Sequence, residues 1–166
     1  MEPVALHIAT ADSADIDELA TVAACTFPLA CPPSVTPENI ASFVETSLSV
    51  ACFAGYLADP QRMILVAQHD DRIVGYAMLV READAVELSK IYVLQDLHGT
   101  GASTALMEAV LASATELGGH SIWLGVNQQN LRAQRFYAKH GFMVNGTRTF
   151  RVGAGLEHDY VMTRAL

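Results

Sequence analysis

Six consecutive residues, His98 to Ser103, carry the first chemistry that this chain proposes. Gly99 and Gly101 flank Thr100 where a strand-like stretch gives way to helical periodicity. Glycine lets a backbone come close to a ligand. The N–H groups at the start of a helix lack intrahelical acceptors and lie at the positive end of its dipole. The turn therefore suits a phosphorylated ligand, with Thr100 and Ser103 as further hydroxyl donors and His98 as a partial positive charge near neutral pH. A plain turn with capping residues is the competing reading.

A second constellation lies downstream. Asn130, Ala133 and Tyr137 stand at i, i+3 and i+7, and so share one helix face, on which the small Ala133 leaves room for a ligand arm. Tyr137 can serve there as a reactive phenol or as a packed aromatic whose hydroxyl finds a backbone partner. The adjacent Phe136 can do the packing.

These residues need elements to hold them. Residues 4–10 alternate like a strand, and Asp12 and Ser13 can cap a helix running to about residue 26. Pro28, Pro32 and Pro33 mark a loop over 27–35, and Thr36 with Pro37 starts a second helix that ends before Pro60. Residues 62–70 and 72–80 form strands joined tightly at Asp70 and Asp71, and 86–94 forms a third. Leu106, Met107, Val110, Leu111 and Ala114 recur at helical spacing, predicting a helix from about Gly101 to Leu117 that is stopped by Gly118 and Gly119. A buried strand at 121–126, a helix over 130–140 stopped by Gly141, and a final antiparallel pair complete an α/β order.

Composition bounds the rest. The 166 residues, 51% hydrophobic and 17% charged, suit one domain, 1–166, with a sizeable core. With 18 acidic against 10 basic residues the formal charge is −8, which disfavours nucleic acid and anionic membrane surfaces; it weakly favours cationic substrates, or serves solubility. Cys25, Cys31 and Cys52 lack metal-ligand spacing and read as buried thiols, and His120, His140 and His158 form no metal cluster. Trp123 reads as core. The N-terminus lacks the pattern of a signal peptide and no stretch reaches membrane-span length, so the cytoplasm is the expected compartment. Oligomeric state is left open, a homodimer included.

Taken together, these residues resemble the GNAT superfamily of N-acetyltransferases, which binds acetyl-CoA on a mixed sheet, mostly antiparallel with a parallel pair at the cofactor. His98 to Ser103 occupy the places of its Q/R-x-x-G-x-G/A motif, with Gly101 a strict match and His98 and Ser103 departing. Asn130, Ala133, Phe136, Tyr137, Gly141 and Phe142 fit its N-x-x-A-x-x-F-Y-x-x-x-G-F pattern at every position. The resemblance implies that acetyl-CoA is held by Ile91, Tyr92 and Val93, by the turn His98, Gly99, Thr100, Gly101, Ala102 and Ser103, and by Asn130, Ala133, Phe136 and Tyr137. It also implies that Tyr137 protonates the departing thiolate.

An alkylammonium, of pKa about 10.4, must lose a proton before it attacks. By resemblance Glu87 is the first candidate base, with a solvated strand carboxylate as the alternative; on a regular strand it shares a face with Ser89, Ile91 and Val93. The resemblance further implies direct transfer to a primary amine and no metal, with the acceptor site built by the N-terminal helices and the loop near 150–157. The ELSKIYVL stretch looks like bacterial polyamine acetyltransferases. A protein N-terminal or lysine acetyltransferase and a noncatalytic acetyl-CoA sensor are the rival readings.

Overall fold

The computed structural model describes residues 5–166, so Val4, where the first strand was expected to begin, lies outside the described residues. β1 (His7–Thr10) leads through a single 3-10 turn into α1 (Ile16–Ala30), followed by α2 (Pro37–Ser47) and α3 (Val50–Ala58). Next come β2 (Arg62–His69), β3 (Arg72–Arg81), β4 (Ala85–Val93), α4 (Ala102–Glu116), β5 (Ser121–Asn127), α5 (Leu131–Lys139), β6 (Met143–Val152) and β7 (Gly155–Ala165). The strands form one sheet in the order β1-β2-β3-β4-β5-β7-β6. Only β4 and β5 run parallel.

Each face of the sheet buries its own cluster. α4 lays Leu106, Met107, Val110 and Ala114 on Ala77, Leu79, Leu88 and Leu124, while α1, α2 and α3 press Leu19, Phe27, Phe43 and Phe53 onto Ile64, Val66, Tyr76 and Met78. β3 lies between the clusters and is buried on both sides. Each large apolar side chain fully buried in this way contributes about 1.5–3 kcal/mol. The β2–β3 hairpin turns on Asp70 and Asp71 at φ 51° and 61°, the left-handed conformation that a two-residue hairpin requires.

The N-terminal helices differ from expectation in two places. α1 does not stop at residue 26 but continues through Pro28 to Ala30, ending where Cys31 N–H donates to the Pro28 carbonyl. Pro28 has no N–H to give the Ala24 carbonyl, and its ring crowds that oxygen; the helix ends two residues later, after the buried Phe27 has been seated in the core. The single helix expected from Pro37 onward is two helices, broken at Leu48 and Ser49. Ser49 caps the second by accepting from Cys52 N–H at 3.2 Å, while Leu48 turns into the core. No single described helix is long and apolar enough to cross a membrane; α2 and α3, bent by 42°, pass that test only as a pair.

Two burial expectations also change. Cys25 is exposed, because the buried stripe of α1 runs through Leu19, Val22, Ala23, Thr26 and Phe27, and residue 25 falls off it. Trp123 is half-buried rather than core. Strict alternation along β5 sends Ile122, Leu124 and Val126 inward and Trp123 to the other face, where its indole N–H donates to Glu82 at 2.7 Å.

Candidate active site

The parallel pairing of β4 with β5 runs over three residue pairs, from Ala85↔Ser121 to Glu87↔Trp123. Beyond Glu87 the strands line opposite sides of one cavity of about 620 Å³, with Ser89 to Val93 on one side and Gly125 to Asn127 on the other. A sheet that splits in this way exposes backbone N–H and C=O groups which a ligand must satisfy. Glu87, Ile91, Tyr92, Val93, His98, Gly99, Gly101, Ser103, Asn130, Ala133, Phe136 and Tyr137 all line this cavity. Chain segments 40 residues apart in sequence thus converge on one cleft.

At one end lies the glycine turn. Gly99 and Gly101 have φ of 81° and 88°, and a Cβ added to either would meet open space, so what demands glycine here is the backbone conformation, not crowding within the protein. Gly101 is the N-cap of α4 and provides no side-chain cap, which leaves first-turn N–H groups, beginning with that of the buried Ala102, free for an anion. The other turn side chains behave differently from expectation. The Thr100 hydroxyl donates back to the Leu97 carbonyl and so does not serve as a ligand donor. The His98 ring is tied by Nε2 to the Val93 carbonyl at 2.9 Å, and its Nδ1 meets an Arg132 guanidinium nitrogen at 2.7 Å. An imidazole that donates through Nε2 and accepts at Nδ1 is neutral. His98 therefore anchors a cation and does not act as one.

α5 forms the wall facing β4. Asn130 is its N-cap, with Oδ1 accepting from Ala133 N–H at 3.2 Å. Phe136 packs edge-on against Tyr137 and beside His140, while Tyr137 also meets Phe142 at 6.0 Å. Burial alone raises the pKa of the Tyr137 phenol, with no hydrogen-bonding partner contributing, so the hydroxyl holds its proton throughout the neutral range.

The other end of the cavity is charged and aromatic. A bulge in β4 shifts the register between Met78↔Lys90 and Leu79↔Leu88, leaving Ser89 as the extra residue. The alternation flips there, so Glu87 does not share a face with Ile91 and Val93, as a regular strand would require. Ile91 packs against the α4 cluster and Tyr92 against the α1–α3 cluster. Glu87 and Lys90 lie near each other, and each shifts the other's pKa. Burial raises the Glu87 carboxyl above its ordinary value, partly opposed by Arg148, whose guanidinium lies 3.8 Å away. Arg148 also binds the buried Asp159 at 3.1 Å and packs flat against Gly125, where any side chain would displace it. Phe27 stacks on Phe43 at 4.4 Å, and Phe150 tilts against Phe43 at 5.5 Å.

Sequence reasoning missed Arg132, Lys90, Arg148 and Asp159. Arg132 stood inside a matched motif at an unspecified position, and only the fold brings it to His98. Lys90 was hidden by the bulge. Arg148 and Asp159 face each other across the β6–β7 ladder, which no spacing along the chain could reveal. Among the described residues no group of three or more His, Cys, Asp or Glu side chains could hold a metal ion.

A split β4–β5 pair with a glycine turn opening the next helix and a tyrosine on the facing helix is the arrangement that the resemblance to the N-acetyltransferases implies. Residues 26–142 match the acetyltransferase (GNAT) family, and the chain belongs to it. It is 67% identical, over 92% of its length and 98% of theirs, to uncharacterized N-acetyltransferases of Mycobacterium bovis and Mycobacterium tuberculosis. Among solved structures it is similar to the PaiA N-acetyltransferase of Thermoplasma acidophilum in complex with coenzyme A, with a TM-score of 0.86 at 20% identity over 98% of this chain and 100% of that one. It is also similar to the ribosomal-protein-S18-alanine N-acetyltransferase of Escherichia coli, with a TM-score of 0.76 at 18% identity over 97% of this chain and 94% of that one. At these identities the structures share the fold.

Proposed function

We propose that this acetyltransferase moves the acetyl group of acetyl-CoA directly to the primary amine of a small molecule, with Tyr137 as general acid and Glu87 as general base. The observation that carries this reading is that both groups line one cavity across the β4–β5 split, where Tyr137 keeps its proton and burial raises the Glu87 carboxyl toward the range of an effective base. The diphosphate fits the free N–H groups after Gly101, with Arg132, held by His98, supplying the cation that the turn lacks. The backbone of Ile91, Tyr92 and Val93 and the face of Asn130, Ala133 and Phe136 fit the pantetheine arm.

The chemistry balances on these groups. Glu87, directly or through a water, takes the proton from the ammonium and passes it to solvent; the free amine attacks the thioester carbon, a C–N bond forms, and the C–S bond breaks as the tetrahedral intermediate collapses. Tyr137 gives its proton to the leaving thiolate, and its phenolate takes back the second proton that the now cationic nitrogen must shed. Backbone N–H groups of β4 polarise the acetyl carbonyl. A thiol-release assay with acetyl-CoA over an amine panel tests the reading in wild type, Tyr137→Phe and Glu87→Gln. Turnover unchanged in both variants would remove the assigned roles. Cofactor binding without acetylation of any amine would favour a sensor instead.

A further inference from the structure

Among the described residues, one charged side chain at the acceptor end of the cavity makes neither an ion pair nor a hydrogen bond. Asp159 is paired with Arg148 at 3.1 Å, Glu157 accepts from Asn127 Nδ2 at 3.0 Å, and Glu87 lies 3.8 Å from Arg148. Lys90 is different. Among the described residues no carboxylate comes within ion-pair distance of its Nζ, and no hydrogen bond is made to it. The bulge at Ser89 turns this ammonium into the cavity, on the side of the α1–α3 cluster, where its nearest features are the Phe43 and Tyr56 rings at 6.0 Å each.

A half-buried ammonium outside ion-pair distance of a carboxylate is costly, and desolvation lowers its pKa, to about 8, only partly opposed by the more distant Glu87. Binding an anion would remove that cost. Three aromatic rings near this end already face a protein cation, since Lys90 lies over Phe43 and Tyr56, Arg148 over Phe150 at 5.5 Å, and Arg62 over Tyr56 at 5.0 Å. A second positive charge on the acceptor would meet Lys90 and Arg148. The neighbouring wall of Phe27, Phe43 and Phe150 is apolar and fits a hydrocarbon body.

We infer that the acceptor is an amine that also carries a carboxylate on an apolar or aromatic body, with Lys90 binding the carboxylate while the amine faces Glu87. The inference rests on the amine-acetyltransferase reading above and narrows it away from spermidine-like polycations. Lys90 is the specificity-determining residue.

The test uses pairs of amines that differ only in the carboxylate, L-phenylalanine against phenethylamine and L-leucine against isopentylamine, with spermidine as the polycation, at saturating acetyl-CoA. The carboxylate-bearing member should have the higher kcat/KM, by about 10- to 100-fold, the scale of one charge-assisted hydrogen bond. Lys90→Met should erase this preference, chiefly through the KM of the carboxylate-bearing member, whereas Lys90→Arg should retain it. Equal or better turnover of the decarboxylated amines or of spermidine, or a preference that survives in Lys90→Met, would overturn the inference. Binding of 3-phenylpropionate, which has the carboxylate but no amine, is followed by NMR on the CoA-loaded full chain. It should bind wild type and not Lys90→Met; no binding to wild type refutes the inference. If no amine is acetylated, the transferase reading fails, and this binding measurement alone decides the role of Lys90.

Discussion

At the scale of single residues, the proposed mechanism needs protons to move between two groups whose surroundings set them apart. Burial keeps the Tyr137 phenol protonated and lifts Glu87 above an ordinary carboxyl, so one is held as an acid while the other is drawn toward the range where a base is effective. The sign for Glu87 follows directly. Its base form is lost as pH falls through a raised pKa, so kcat/KM should decline at a higher pH than an unperturbed carboxyl would give. Arg148 pulls that pKa down. Arg148→Met should therefore move the acid limb of the pH profile further upward, and a limb that stays in place would show that Glu87 does not set it. At the turn, Arg132→Ala should weaken CoA binding about 10-fold, as loss of one charge-assisted contact does, measured calorimetrically at fixed salt.

At the scale of elements, what positions these groups is a strand pair that separates and a bulge that rotates one strand. Gly125→Ala tests the first, because a methyl on β5 would collide with the Arg148 guanidinium. The amine KM should rise several-fold while the acetyl-CoA KM holds; equal effects on both would mean that the two ends of the cleft are not separable. Gly101→Ala forces a side chain to φ 88° and should cost about 1–2 kcal/mol of strain, read as a lower melting temperature with weaker cofactor binding. The same elements show what was legible in the sequence. The strands, the glycine turn and α4 announce themselves through periodicity and turn chemistry, and the Asn130 to Phe142 run carries its helix and its family together. The bulge at Ser89 leaves no mark in a stretch whose residues suit either face. Pro28 reads as a helix stop because proline costs a helix both a hydrogen bond and a clash, a cost that here tertiary packing of Phe27 offsets, and Ser49 reads as helix interior because a cap and an exposed serine look alike. The partners of His98 and Arg148 come from tertiary placement alone.

At the scale of the whole molecule, two apolar clusters clamp the sheet, and the cleft cuts between the elements they hold. Leu106 is fully buried in the α4 cluster, so Leu106→Ala should lower stability by about 2–5 kcal/mol in denaturant melts without altering the order of amine preferences. Ligand occupancy should add stability by linkage, about 2.7 kcal/mol at a CoA concentration 100-fold above Kd. The central claim is that one cavity brings an acetyl donor and an amine between Tyr137 and Glu87, and steady-state thiol release with acetyl-CoA and the amine panel, in wild type and Tyr137→Phe, tests it most directly. The expected result is amine-dependent release in wild type, with kcat reduced about 100-fold in Tyr137→Phe at an unchanged acetyl-CoA KM. Release independent of any amine, or a Tyr137→Phe enzyme turning over at the wild-type rate, would contradict it.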